Sequence, residues 1–135
     1  MKKIFVLFFI FLLFLVIGCK KSDSETAAGE TVKTDSQEKK AVTALENYFQ
    51  CIGNDDLKNI DKYATTDGIE IAEFINGLAS KKDKDALKNY KADIVKSEFE
   101  NDCYFITVKY VGLTDCYELV KDSNNWKVNN IVTKN

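Results

Sequence analysis

This chain contains no histidine, no arginine and no proline, and two of these absences exclude chemistry. Without histidine it lacks the side chain that most often serves as general base or zinc ligand near neutral pH. Without arginine every cation is a lysine, 19 against 21 acids for a net charge of −2. No basic stripe is visible that could release counterions from a phosphate backbone, so nucleic acid is not an expected partner. Taken together, the three absences read as a compositional bias, and the abundance of lysine carries no functional message. Four cysteines are present, but no pair has the C-x-x-C spacing of a redox or zinc site. The sequence also has no phosphate loop, nucleophile elbow, dinucleotide fingerprint or calcium loop, and no cofactor is expected.

What the chain does have is greasy at one end. Two lysines precede an unbroken apolar run from Ile4 to Ile17, followed by Gly18 and Cys19. Fourteen helical residues cover roughly 21 Å, short of the roughly 30 Å of hydrocarbon that a spanning helix must cross. A basic start and an apolar core of this length fit a secretory leader. Val16-Ile17-Gly18-Cys19 matches a lipobox, and residues 1–18 resemble the signal peptide of a bacterial lipoprotein. The resemblance implies cleavage after Gly18 and acylation of Cys19, palmitate included. The protein would then be exported and held to the cell membrane or outer membrane by lipid. Two or three acyl chains, at about 0.8 kcal/mol per buried methylene, make such anchoring effectively permanent. Loss of Lys2 and Lys3 with the leader leaves 17 lysines against 21 acids, a net charge of −4.

Residues 20–40 are almost all Lys, Ser, Asp, Glu, Thr, Ala and Gly, with too little apolar surface to offset the entropy of ordering. Together with Cys19 they read as a disordered tether, 19–40, with a reach on the order of 25 Å. Residues 41–135 suffice for one core. Ala41, Val42, Leu45, Tyr48, Phe49 and Ile52 make one helical stripe, which Gly53 closes as a left-handed cap. Asn54 or Asp55 then opens a short helix carrying Leu57, Ile60, Tyr63 and Ala64. Asp55-Asp56 is the nearest thing to a paired carboxylate, and a helix N-terminus accounts for it. Thr65 to Gly68 read as a turn. A third helix follows with Ile69, Ile71, Ala72, Ile75 and Leu78 on its buried face, continuing through Ser80–Lys84 to Tyr90.

Beyond Lys91 the apolar period changes from 3.6 to 2. Strands are expected around 94–99, from Cys103 to Tyr110, from Cys116 to Val120 and from Trp126 to Val132, with turns at 112–114 and 122–125. Helices first and a short-linked meander afterwards predict an α+β domain, with helices packed on a curved antiparallel four-stranded sheet.

Gly53 to Leu57, and above all Leu119-Val120-Lys121-Asp122 leading to Trp126-Lys127-Val128, resemble the small lipoprotein domains of the DUF4878 kind, cystatin-like members of the NTF2-like superfamily. That resemblance implies a cone, a bent sheet wrapped around the first helix, sometimes open as a pocket. It supplies a fold more than an activity. Alternation turns Tyr104, Tyr110, Tyr117 and Trp126 inward, where they either fill the cone or line a small-ligand pocket. Phe105, Val111, Val120 and Ile131 are expected on the outer face, as isolated surface hydrophobes or as an interface for a homodimer or an envelope protein. Cys103 and Cys116 share that face but are offset too far along their strands to bridge, so any disulfide must use Cys51. The functional expectation is a membrane-anchored, non-catalytic binding or interaction module; the alternative is a small cone-pocket enzyme of isomerase or dehydratase type.

Overall fold

A computed structural model describes residues 24–133, with side chains from residue 35 onward. The leader and Cys19 lie outside the described residues. The chain divides into two compact units, Met1–Ser36 and Gln37–Asn135. The described part of the first unit is helix. The second is an α+β domain in which helices precede a four-stranded antiparallel sheet.

Helix α1 spans Ser24–Gly53, so residues 24–40 are helical and the tether reading needs correction. The composition argument concerned burial, whereas helix propagation depends on propensity once a nucleus exists. Ala, Glu, Lys and Gln extend the turns fixed by the buried half backwards at little cost. Ala41, Leu45, Tyr48, Phe49 and Ile52 are fully buried along the expected stripe, with Val42 at its margin. The end of α1 is also corrected. Asp55 takes the left-handed conformation, φ 54°, two residues beyond Gly53. The Asp56 and Asp55 N–H groups donate to the Cys51 and Ile52 carbonyls, a Schellman closure. Gly53 is needed for closeness instead, because a Cβ there would sit 2.5 Å from the Lys88 nitrogen and 2.8 Å from the Lys84 oxygen.

After a 3₁₀ turn, Leu57–Lys62, helix α2 spans Thr66–Leu78 and helix α3 Lys81–Leu87. Thr65 caps α2, so the expected turn is a helix start. The single third helix is in fact two. Ser80 and Asp83 form a reciprocal capping box, which ends one helix and begins the next.

Strands β1 (Asp93–Glu100), β2 (Cys103–Tyr110), β3 (Leu113–Asp122) and β4 (Asn125–Val132) form a meander in that spatial order. Its inner face packs Tyr104, Ile106, Val108, Tyr110, Tyr117, Leu119, Trp126 and Val128 into one core with α1. The Trp126 indole N–H donates to the Gln37 Oε1 at 3.1 Å, tying the last strand to the helix. Two bulges interrupt the pleat, one at Val95 in β1 and one at Asn129 in β4. The outer edge of β4 is covered: Val128 donates to the Tyr63 oxygen at 2.8 Å and accepts from the Thr65 nitrogen at 2.9 Å. Thr65 also donates through its hydroxyl to Asn129 Oδ1, and Asn129 Nδ2 donates to Glu118. Cys116 lies opposite Thr107, within the expected register, and Cys51, Cys103 and Cys116 are all unbridged.

Candidate functional site

Helix α2 has apolar residues on more of its circumference than one core can cover. Ala72 is buried and Ile69 and Ile75 pack on the core, while Phe74 and Leu78 are 68% and 71% exposed. Opposite them stands the β2–β3 hairpin, turned by two left-handed residues, Val111 (φ 39°) and Gly112 (φ 81°). Between hairpin and helices lies a half-open groove of about 390 Å³, within the range of small-ligand sites. Ile71, Phe74, Ile75 and Leu78 form one wall, Tyr110, Val111 and Leu113 the other, and Leu87 and Ile131 contribute from α3 and β4. Seven large apolar side chains are exposed among the described residues. Four of them, Phe74, Leu78, Val111 and Leu113, border this groove.

The charged groups lining the groove are of one sign. Asp115 and Asp83 line it and no lysine does. The Tyr110 hydroxyl donates to Asp115 Oδ2 at 2.6 Å, leaving the other carboxylate oxygen available to a ligand. Burial, reinforced by the bond to Asp115, pushes the Tyr110 phenol up to about 12. Asp83 is held below the usual carboxylate range, chiefly by the Ser80 side-chain hydrogen bond and then by the Ser80 backbone.

The four expected pocket aromatics are all buried, but they divide between two clusters. Tyr104 and Trp126 stack edge-on at 5.0 Å between ring centres, with Phe99 beside them. Tyr110 and Tyr117 surround Phe49 together with Tyr48 and Tyr90. Only Tyr110 of the four borders the groove. Burial also raises the Tyr48, Tyr90 and Tyr117 phenols. The Tyr48 hydroxyl donates to the Gly68 oxygen, and that of Tyr117 is buried beside the Tyr110 phenol.

The expected outer-face quartet does not share a face. Phe105 and Val120 sit on it, paired with Glu118 and Lys127 respectively. Val111 lies in the hairpin turn. The extra residue at Asn129 restores Ile131 to the inner side, opposite Tyr117. Asp115 was overlooked as a site residue, although it stands two positions before Tyr117 and therefore on the same face. Leu78, expected in the core, instead rims the groove.

Among the described residues no cluster of three or more acidic, cysteine or histidine side chains could hold a metal ion, and no helix is long and apolar enough to cross a membrane. No protein-family model matches the sequence, and comparisons with curated proteins and with solved structures find no significant match.

Proposed function

We propose that this chain is a lipid-anchored, non-catalytic binding module of a bacterial envelope, with an NTF2-like domain of the DUF4878 kind carried on an acylated Cys19. Its groove takes a small molecule with an apolar body and a positively charged or hydrogen-bond-donating head. The observation that carries this reading is the groove itself, whose apolar walls remain exposed around a carboxylate and a phenol, with no cation in its lining. Apolar walls favour the body by roughly 25 cal/mol for each Å² buried, while the free oxygen of Asp115 selects the head.

The test uses the full chain in lipid nanodiscs with octylamine, octanol and octanoate as probes. Methyl resonances of Ile75, Leu78 and Leu113 should shift with octylamine at the lowest concentration. In Asp115→Asn, octylamine affinity should fall about tenfold, the size of one charge-assisted hydrogen bond, while octanol affinity holds. Octanoate binding as tightly as octylamine would refute the choice of head group, and no response to any probe would remove the groove as a binding site. Anchoring has its own test. Labelled palmitate should enter the wild-type chain and not Cys19→Ser; an uncut, unlabelled wild-type chain would defeat the envelope assignment.

A second reading, a proton-transferring enzyme of isomerase or dehydratase type, draws on Asp115 lying inside the groove beside Tyr110. In that case Asp115→Asn would abolish turnover of a carbonyl compound rather than weaken capture of an amine.

A further inference from the structure

The three exposed large apolar side chains that do not border the groove, Ile94, Val95 and Phe99, all lie on β1. Among the described residues that strand is an edge of the sheet, paired with β2 alone. The opposite edge, on β4, is covered by Tyr63–Thr65. An uncovered apolar edge is a template for another strand, and natural proteins usually blunt such edges or use them.

We propose that β1 is the contact between two copies of this chain, paired antiparallel about a two-fold axis through Ser97. The sequence selects this register. With Ser97 opposite its own copy, Lys96 faces the partner's Glu98, Glu98 faces the partner's Lys96, and Val95 faces the partner's Phe99. Lys96 and Glu98 already share the outer face and lie 2.9 Å apart within one strand, so the pairing exchanges the exposed ion pair within each chain for two across the contact. Shifting the axis to Glu98 would set two glutamates against each other, a destabilising cross-strand arrangement. Val95 and Phe99, 54% and 53% exposed in the single chain, would cover each other.

The arrangement also closes. An isologous pair uses both β1 edges, and each β4 edge is occupied, so the sheet grows to eight strands and stops. The bulge at Val95 marks the end of the pairing on each side, so the contact runs from Val95 to Phe99 and stays short.

The test is trans complementation between two differently tagged full-length chains expressed together. Wild-type copies should co-purify. Lys96→Glu and Glu98→Lys should each lose self-association about tenfold, because each sets like charges opposite one another. Mixing the two variants should restore association, an outcome that no repair within one chain can produce. In a Cys103→Ser background, Ser97→Cys should give a disulfide-linked dimer under mild oxidation, and Lys109→Cys, on the sheet's outer face, should not. Failure of the mixed variants to associate better than either alone would overturn the proposal. So would linkage through Lys109→Cys in place of Ser97→Cys, or co-purification of a different protein with no second copy.

Discussion

Gly68→Ala should destabilise the domain by about 3 kcal/mol or more, a large part of the margin that holds a domain of this size folded. A Cβ on Gly68 would stand 2.1 Å from the Val128 carbonyl oxygen and 2.9 Å from its carbon. That oxygen cannot retreat cheaply. Val128 is bonded to Tyr63 and Thr65 on one side and registered against Leu119 on the other. The Gly68 carbonyl also accepts the buried Tyr48 hydroxyl at 2.9 Å, so a displaced helix would orphan that phenol. Gly53→Ala should behave similarly, since α3 crosses its Cα at backbone contact. Gly77→Ala is the control: it lies within α2, has nothing within 4 Å of the added carbon, and should gain about 0.5–1 kcal/mol from reduced backbone entropy. Urea unfolding of the three variants checks all of this. A Gly68→Ala midpoint equal to wild type would mean that α2 is not seated on β4 as described.

Alkali should unfold this protein steeply. Tyr48, Tyr90, Tyr110 and Tyr117 all hold their protons above the ordinary phenol range, burial being the largest cause in each, and Tyr110 ionises at about 12. In the unfolded chain all four titrate near pH 10. Raised folded values mean that the native state keeps protons the unfolded state gives up. The stabilisation is therefore complete below about pH 10 and is lost as pH climbs through the folded values. Each strongly shifted tyrosine lowers stability by about 1.4 kcal/mol per pH unit in that window, and Tyr48, Tyr110 and Tyr117 together by about 4. Phenolate absorbance and helical circular dichroism followed together should change in one transition. Phenolate appearing for every tyrosine near pH 10 with the helix intact would show that the rings are accessible. Tyr117→Phe should reduce the slope by one proton.

How far the fold could be read in advance depended on whether its signals were local. Strand alternation is local, and Tyr104 to Tyr110 and Tyr117 to Leu119 face the core as their spacing requires. The bulge at Asn129 is not local: nothing in Trp126 to Val132 reveals an inserted residue until Glu118 and Leu119 are paired across it, and Ile131 was assigned the wrong face as a result. Gly53 and Gly68 read as a cap and a turn because glycine signals left-handed backbone. Both are present to admit a neighbouring backbone, which only tertiary packing discloses. The groove was missed for a related reason. Helical spacing places Leu78 and Ile75 together, yet cannot say that the core ends between them. Asp115 is the exception, a residue whose face was legible from Tyr117 alone.

The clasp between Tyr63–Thr65 and Val128 joins residues more than sixty positions apart, and the bond from Gln37 to Trp126 spans 89. A ribosome delivers the helical half first. It must therefore wait, its greasy faces uncovered, until the last ten or so residues arrive. The hairpins can zip up one after another as they emerge, but the vault is locked only by its final stone. Truncation before Trp126 would remove both ties at once, the bond to α1 at Gln37 and the clasp at Tyr63–Thr65 that precedes α2.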